Sequence, residues 1–353
     1  MLKKWIKKPT FLVSLTLLLA LTACGDGTVE EATTNETEVE TTEPETELEV
    51  ESDDEAAVEL FEMKQITSWF PQVENAGQYY AAMEGFYEEA GLDMTTEPGG
   101  PQVSSISIVS SGSAQIGMAQ ADQVLYAINE GIPLVAIFAN FQKTPQGIMF
   151  HVDQPIETFD DLADGYEIYT AAGAGYWEYL VSQYNIEKSQ NRVYTGDSSA
   201  FVSNDKAASQ MYVTSEPFYL QEQGVETGHL MIADSGYSPY GDVLFTTKDF
   251  MEEHPEIIQA YVDAITKGWE AFKADPEKIY DYIIELEPEK TAEQMAYATE
   301  QMEDLVFGGD AAEHGVGYMR EERWETLIDQ LYELELVDSQ IPATDVFTTD
   351  FLH

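Results

Sequence analysis

The feature of this sequence that most constrains its fold is an alternation, from about residue 61 onward, of short apolar segments with segments of helical periodicity. The apolar segments have the length of strands, and the helical ones repeat apolar side chains every three or four residues. Strands that alternate with helices form a mostly parallel sheet with helices on both faces, which predicts an α/β fold. The predicted strands are 63–69, 92–97, 114–119, 134–139, 166–171, 210–213 and 229–233, and the predicted helices between them are 77–90, 103–110, 121–129, 176–184 and 216–223.

The alternation runs through the chain twice and is followed by a part that is rich in helix. A first series of strands and helices ends near residue 139, and a second begins at residue 166. Two series of this size indicate two lobes, since each sheet needs helices of its own to cover it. The remaining periodic segments predict helices at 255–274, 276–286, 292–306 and 321–334.

The start of the chain has the pattern of an export signal that ends in a lipidation site. Four lysines precede an apolar stretch, residues 10–20, that is too short to span a bilayer as a permanent helix. Small residues then lead to Cys24, the single cysteine of the sequence, which excludes an intramolecular disulfide. We predict a signal peptide over residues 1–23 and a lipid anchor at Cys24 that holds the protein on the outer face of the cytoplasmic membrane. The alternative is an ordinary secretory signal beside an incidental cysteine.

Acidic side chains dominate the composition. The chain holds 66 acidic residues against 16 Lys and Arg, a formal charge of −50, and 15 of the acids fall in residues 26–60, where no base occurs. Such a segment buries too little apolar surface to fold, so we predict a disordered tether over residues 24–60. The negative charge excludes nucleic acid as a partner. It is typical of proteins adapted to high salt, as in a halophile, and an alkaline habitat is the alternative.

Short stretches at the joins between strands and helices stand in a fixed order over residues 63–250. They are Ser68-Trp69-Phe70-Pro71, Gly77-Gln78-Tyr79-Tyr80-Ala81-Ala82, Gly85-Phe86-Tyr87-Glu88-Glu89-Ala90-Gly91-Leu92, Ser111-Gly112-Ser113-Ala114-Gln115-Ile116-Gly117, Gly131-Ile132-Pro133-Leu134-Val135, Thr214-Ser215-Glu216-Pro217-Phe218 and Asp234-Ser235-Gly236-Tyr237-Ser238-Pro239-Tyr240. By their order and spacing they resemble the type II periplasmic solute-binding proteins of ABC importers. More narrowly, they resemble the family that binds thiamine-pyrimidine precursors, riboflavin, nitrate, taurine and aliphatic sulfonates.

The resemblance implies two lobes with a ligand in the cleft between them, joined by crossover strands near 149–152 and 243–247. Lobe I then comprises residues 61–150 and 245–353, and lobe II comprises residues 151–244. The resemblance also implies a monomer without a cofactor that delivers a small solute to an ABC permease and its ATPase subunits. A ligand sensor that contacts a membrane receptor is an alternative with the same fold.

Ligand contacts are expected where the strands of an open parallel sheet end at their carboxyl edge. The side chains that follow the predicted strands are aromatic, amide and acidic, and Lys143 is the one base close to them. Aromatic faces stack on flat rings, and amides and carboxylates accept hydrogen bonds from ring N–H or amino groups. This favours a neutral or cationic heteroaromatic ligand, such as an aminopyrimidine or a flavin, over an anion that needs Arg or Lys. The predicted ligand-binding residues are Trp69, Asn75, Gln120, Asp122, Gln142, Gly173, Gly175, Tyr176, Trp177, Glu216 and Tyr237.

Other interpretations of these residues stay open. Backbone N–H groups of a helix that opens at Gly175 are able to hold an anion, which keeps nitrate, taurine and aliphatic sulfonates as alternative ligands. Asp122 and Glu216 both stand where a carboxylate caps a helix. Tyr176 and Trp177 are neighbours on a helix and face different ways, so at most one of them reaches the ligand.

The sequence predicts neither a metal site nor an enzyme. The histidines of the folded part have no cysteine or carboxylate at metal-ligand spacing, and we interpret them as structural; they are His151, His229, His254 and His314. A fungal relative of the same fold makes the thiamine pyrimidine from its own histidine with iron and a cysteine-rich motif, but this chain has no cysteine beyond Cys24. No Ser-His-Asp pattern and no zinc motif is present either.

Replacing Cys24 with serine removes the predicted site of lipid attachment. We expect a Cys24→Ser protein to leave the membrane fraction and appear in the medium, because no acyl chain then holds it. Fractionation of expressing cells measures this, with Thr28→Ser as a control that stays on the membrane. A Cys24→Ser protein that remained membrane-bound would contradict the lipoprotein prediction.

Overall fold

The computed structural model describes residues 59–100, 102–171 and 173–353. The predicted signal peptide, Cys24 and the predicted tether up to residue 58 lie outside the described residues. Among the described residues, no helix has the length and apolar character needed to cross a membrane.

The first sheet has five strands in the order β2-β1-β3-β10-β4. Strand β1 runs parallel to β2 and β3, and β10 runs antiparallel to both β3 and β4. Four strands therefore share one direction, and β10 begins at the edge where β3 and β4 end. The strands are β1 (Phe61–Ile66), β2 (Leu92–Glu97), β3 (Ile116–Ala119), β4 (Leu134–Phe141) and β10 (Gly241–Thr247).

The second sheet repeats this arrangement, in the order β7-β6-β8-β5-β9. Strand β6 is parallel to β7 and β8, and β5 is antiparallel to β8 and β9. The predicted α/β class with two lobes is confirmed, and each sheet is mixed with one reversed strand. The strands are β5 (Gln146–His151), β6 (Glu167–Thr170), β7 (Asn191–Val193), β8 (Ala207–Tyr212) and β9 (Thr227–Met231).

Helices flank both sheets, and the C-terminal part is helical as predicted. The predicted helix at 77–90 is split by Gly85, whose φ of 76° ends one helix and starts the next. The predicted helix at 276–286 begins as a short 3₁₀ turn. The helices are α1 (Ala76–Met83), α2 (Phe86–Glu89), α3 (Ser105–Ser110), α4 (Ala121–Asn129), α5 (Gly175–Gln183), α6 (Ser199–Val202), α7 (Glu216–Glu222), α8 (Lys248–Glu253), α9 (Pro255–Ala274), α10 (Tyr280–Leu286), α11 (Ala292–Phe307), α12 (Ala311–His314) and α13 (Glu321–Glu333).

The chain changes sheets between β4 and β5 and again between β9 and β10. These crossovers fall at 142–145 and 232–240, a few residues before the positions 149–152 and 243–247 expected from the resemblance. Strand β5 therefore pairs wholly within the second sheet and β10 wholly within the first. From here, lobe I denotes the part that carries the first sheet, including β10, and lobe II the part that carries the second sheet, including β5. The middle of β5 and nearly all of β10 are buried, so the apolar pattern of these strands does not mark which sheet they join.

One arginine of the C-terminal part ties both crossovers together. Arg323 in α13 donates Nη2 to the backbone oxygens of Gln142, at 2.7 Å, and Ser238, at 3.1 Å. Its guanidinium also lies 3.7 Å from the ring centroid of Tyr240, a cation–π contact. Asp310 Oδ2 lies 3.6 Å from Nη1 of the same guanidinium and forms an ion pair with it. The helical tail thus fixes the two segments about which the lobes would bend.

The longest helix, α9, packs against α1 through a close approach at two glycines. A Cβ at Gly268 of α9 would overlap the backbone oxygen of Gly77 in α1, so only hydrogen fits there. The next residue, Trp269, is fully buried and donates Nε1 to Asn140 Oδ1 at 3.1 Å. Asn140 also accepts from Gln78 Nε2 at 3.1 Å, and it therefore lies in the interior of lobe I.

Candidate functional site at the junction of the lobes

Polar side chains at the ends of strands from the two lobes meet directly. Gln120, the residue after β3, donates Nε2 to the hydroxyl of Tyr212 at the end of β8, over 3.2 Å. Thr214, two residues further along, donates Oγ1 to Glu74 Oε1 over 2.6 Å. Glu74 lies in a 3₁₀ turn before α1, so the second contact also joins lobe I to lobe II. The carboxyl edges of the two sheets therefore face each other. Ligands of open parallel sheets bind at this edge.

Three carboxyl groups surround Tyr212, and we call them the junction carboxyls: Glu74, Asp242 and Glu216. Asp242 accepts from Gln120 Nε2 at 2.7 Å, the same group that contacts the tyrosine. Glu216 accepts from the backbone N–H of Tyr212 at 2.8 Å. Burial raises the pKa of the Tyr212 hydroxyl well above its usual value, and the neighbouring junction carboxyls raise it further. Two of the three groups come from lobe I and one from lobe II.

Asp242 has a strained backbone in a buried place. It is one of two residues other than glycine with a positive φ, here 44°, among those described, and its side chain is 2% exposed. Such conformations cost free energy and are held by the surrounding structure, often at functional sites. Burial raises the pKa of the Asp242 carboxyl to about 7, and the charge of Glu74 adds to the shift. Hydrogen bonds from Ser68 and Gln120 oppose it without cancelling it.

The two glutamates of the junction respond to burial in the same way. Burial raises the pKa of Glu74, while the hydrogen bond from Thr214 and the charge of Lys290 lower it. Burial likewise raises the pKa of Glu216, against hydrogen bonds from the backbone and from Tyr194. Within the described chain, none of the salt bridges formed by Lys, Arg or His includes a junction carboxyl.

A fourth carboxyl, that of Asp122, lies against the first turn of α5. It accepts from the hydroxyl of Tyr237 at 2.9 Å and from the backbone N–H of Gln123 at 2.8 Å. A Cβ at Gly175 would lie 2.8 Å from Asp122 Oδ2 and 2.6 Å from the hydroxyls of Tyr126 and Tyr237, so the approach requires glycine. The carboxyl group of Asp122 thus lies at the opening of α5, the helix start that the sequence analysis kept as an alternative site for an anion.

Seven buried side-chain oxygens of the described chain have no hydrogen-bond partner. Six of them are acceptors, from one carboxyl and five side-chain amides, and those of Glu74, Asn75 and Gln120 lie at the junction. Buried acceptors of this kind are costly unless a donor reaches them. The acceptors are Glu74 Oε2, Asn75 Oδ1, Gln78 Oε1, Gln120 Oε1, Gln142 Oε1 and Gln294 Oε1, and the seventh oxygen is the hydroxyl of Tyr126.

Many of the residues predicted from the sequence lie at or beside the junction. Tyr176 belongs to this group through its hydroxyl, which donates to Gln210 Oε1 at 2.7 Å on the strand that carries Tyr212. Asn75 belongs to it through its position next to Glu74, and its Nδ2 donates to Met118 Sδ. The full group comprises Asn75, Gln120, Asp122, Gly175, Tyr176, Glu216 and Tyr237.

The other predicted residues have different surroundings. Trp177 is 5% exposed and packs in the hydrophobic core, to which the ring of Tyr176 also belongs. Trp69 is 40% exposed and stacks edge-on against Phe70. Gln142 lies in the first crossover and donates Nε2 to the backbone oxygen of Tyr318. Gly173 has a φ of 74° and open space around it, so it serves the turn.

Several junction residues were missed by the sequence analysis, namely Glu74, Tyr212, Thr214 and Asp242. No local pattern distinguishes them, because each reaches the site from a different segment of the chain. The one usable signal was the polar Asp242 inside an otherwise apolar strand, β10. The base thought to lie near the cleft, Lys143, pairs at 2.7 Å with Asp304 on the surface.

Residues 72–279, more than half of the chain, match the family model described as NMT1/THI5 like. The chain belongs to the NMT1/THI5-like family. A riboflavin-binding protein, RibY, of Chloroflexus aurantiacus is 21% identical over 304 residues, which cover 82% of this chain and 86% of RibY. A formylaminopyrimidine-binding protein of Halalkalibacterium halodurans is 23% identical over 327 residues, 84% of this chain and 92% of the relative. The resemblance seen in the sequence is thereby confirmed.

Solved structures show that this NMT1/THI5-like chain has the type II periplasmic-binding-protein fold. The aliphatic sulphonate binding protein SsuA of Escherichia coli superposes with a TM-score of 0.64 at 15% identity, covering 80% of this chain and 96% of SsuA. The desulfurization enzyme DSZB shares the fold with a TM-score of 0.54 at 13% identity, covering 82% of this chain and 97% of the enzyme. The fold alone thus admits both binding and catalysis, and the function has to be argued from the site.

The raised pKa of Asp242 makes the stability of the folded chain depend on pH. The unfolded carboxyl ionises near pH ~4, whereas the folded one, with its pKa at about 7, keeps its proton. Between these values the folded state binds more protons, so stability falls as pH rises from about 4 to about 7 and then levels off. Asp242→Asn, which tolerates a positive φ, should weaken this decline by a few kcal/mol.

Urea unfolding at about pH 5 and about pH 8 measures the effect, since the midpoint shifts with stability. The exposed Asp153→Asn serves as the matched control and should behave like the wild type. An Asp242→Asn protein with the full wild-type decline would show that this carboxyl does not titrate with folding.

Proposed function

We propose that the chain is an extracytoplasmic solute-binding lipoprotein of an ABC importer. In this proposal it captures a small heteroaromatic solute between its lobes and delivers it to a permease. The ligand is a neutral or cationic nitrogen heterocycle, such as a thiamine-pyrimidine precursor or a riboflavin-like molecule. Membership of the NMT1/THI5-like family supports the proposal, as do relatives whose names state riboflavin and formylaminopyrimidine as ligands.

The observation that carries the ligand class is the chemistry of the junction. The unpartnered buried oxygens of Glu74, Asn75 and Gln120 are all acceptors, and the four carboxyl groups of the junction form no salt bridge among the described residues. A ligand that brings N–H donors or positive charge satisfies both features. Tyr176 and Tyr212 supply aromatic side chains at the same place, where a flat ring gains dispersion contact.

An anionic ligand fits this junction poorly. Nitrate, taurine and sulfonates need a cation or free N–H groups, whereas Asp122 stands at the opening of α5 and the junction carboxyls stand beyond it. An ionised carboxyl there repels an anion, and the buried acceptor oxygens offer it no hydrogen-bond donor. Lys290 is the base whose charge reaches Glu74, and it lies outside hydrogen-bond range.

The proposed mechanism is closure of the lobes around the ligand. Two crossover segments connect the lobes, and Arg323 holds both of them to the C-terminal helices, which makes them natural hinges. A ligand that contacts Gln120 on one lobe and Glu216 on the other favours the closed state by its differential affinity for that state. The closed form then docks on the permease. A lipid anchor at Cys24 would keep the protein at high effective concentration near its partner.

We propose binding without chemistry, in contrast to the enzyme that shares the fold. Among the described residues, no group of three or more His, Cys, Asp or Glu side chains is arranged to hold a metal ion. The polar groups at the junction are carboxyls, amides and phenols that hydrogen-bond to one another across the lobes. This arrangement suits a ligand held through several hydrogen bonds.

Isothermal titration of the protein with formylaminopyrimidine, riboflavin and taurine tests the ligand class. We expect one of the two heterocycles to bind and taurine to give no heat. Glu216→Gln should weaken that binding about ten-fold or more, because one acceptor oxygen of the carboxyl is replaced by an amide NH₂ that only donates. The exposed Glu226→Gln is the control and should bind like the wild type. Binding of taurine alone would overturn the proposed ligand class.

A further inference from the structure

The lobes touch in this structure through a cluster that carries no compensating ion pair. Glu74 and Asp242 belong to lobe I and Glu216 to lobe II. Asp242 shares Gln120 Nε2 with the hydroxyl of Tyr212, and Glu216 accepts from the backbone N–H of Tyr212. Glu74 accepts from Thr214, two residues further along. Glu74 and Asp242 are 1% and 2% exposed. The hydrogen bonds that cross between the lobes here end on Glu74 or run through Gln120 to Asp242. A change in the contact between the lobes therefore also changes the surroundings of these carboxyls.

We propose that the ligand-free protein closes by taking up protons, so that neutral junction carboxyls let the lobes meet and their ionisation drives the lobes apart. The inference concerns the empty protein and holds whatever ligand the cleft takes. It makes the closure of the two lobes depend on pH.

The direction follows from the cost of burying like charges. An ionised carboxyl in a buried site loses its hydration, and a second one nearby adds repulsion in a medium of low dielectric constant. Opening the lobes breaks the contacts of Thr214 with Glu74 and of Tyr212 with Gln120, and it returns water to the buried carboxyls of Glu74 and Asp242 beside them. The closed state thus binds more protons than the open state. The ratio of closed to open protein then falls as pH rises, by up to about ten-fold per pH unit for each proton taken up.

The groups packed around the junction carboxyls do not reverse this sign. Lobe II presents Tyr194, Tyr212 and Tyr219, which are neutral in this range because burial raises each pKa. Thr214 and Gln120 donate neutral hydrogen bonds, and so does Ser68. The single base is Lys290, which favours ionised Glu74 without offsetting its burial. The closed fraction should change between pH ~4, where an ordinary carboxyl titrates, and about pH 7, where Asp242 has its pKa.

A distance measured between the lobes tests the proposal directly. Spin labels on the full chain, at Asp93→Cys in β2 and Val193→Cys in β7 with Cys24→Ser, report that distance by double electron–electron resonance. Both sites are exposed and lie on an outer strand of their sheet. At about pH 5 we expect one short distance, and at about pH 8 a longer population that dominates.

Removing the charges should abolish the response. The variant Glu74→Gln, Asp242→Asn, Glu216→Gln should keep the short distance at both pH values. A control that removes three exposed charges, Glu226→Gln, Asp249→Asn, Glu252→Gln, should open at high pH like the wild type. If the triple junction variant does not fold, Asp242→Asn alone should reduce the open population several-fold at about pH 7.

Two results would overturn the proposal. One is a wild-type distance that does not change between the two pH values. The other is a folded junction variant that opens with pH as the wild type does, which would place the titrating groups elsewhere in the chain.

Discussion

The closed arrangement of this protein depends on how two buried carboxyl groups and a half-buried one are neutralised. Glu74, Asp242 and Glu216 lie at the contacts made by Tyr212 and Thr214, and none forms a salt bridge among the described residues. Charges buried in this way are tolerated only when protons, cations or hydrogen-bond donors compensate for the lost water. The same constraint links the packing of the lobes, their response to pH and the class of ligand that the cleft accepts.

The fold creates this constraint by bringing the ends of strands together. Four strands in each sheet end at one edge, and the reversed strands β5 and β10 start there after the chain has crossed between lobes. Asp242 enters the site because β10 begins with a positive φ at that residue. Arg323 then holds both crossovers against the helical tail, which makes the relative position of the lobes a property of a few hydrogen bonds.

Local patterns predicted much of the fold because helices and strands carry their periodicity within one segment. The bounds of α4 and α9 agree with the sequence prediction, since both have a strong amphipathic face. The reversed strands β5 and β10 were not identified from periodicity, because strands buried along most of their length show no alternation. Strand β7 was missed because it has only three residues. The crossovers lie a few residues before the positions that the resemblance implied.

Some residues that meet at the junction could be predicted from the sequence, and their contact with a ligand stays a prediction. Gln120, Asp122 and Glu216 were among them because strand ends and helix starts are visible in the sequence. Trp177 was predicted with them from its place at a helix start, and its side chain packs in the core. Tyr212 and Asp242 were missed because they are separated in sequence and meet only after both sheets have formed.

The nature of the bound solute tests the central claim most directly. Native mass spectrometry of the protein purified from its own cells would identify a ligand that the cleft retains. The chemistry of the junction predicts a nitrogen heterocycle that donates hydrogen bonds or carries positive charge. A sulfonate, nitrate or another anion retained in the cleft would contradict the account.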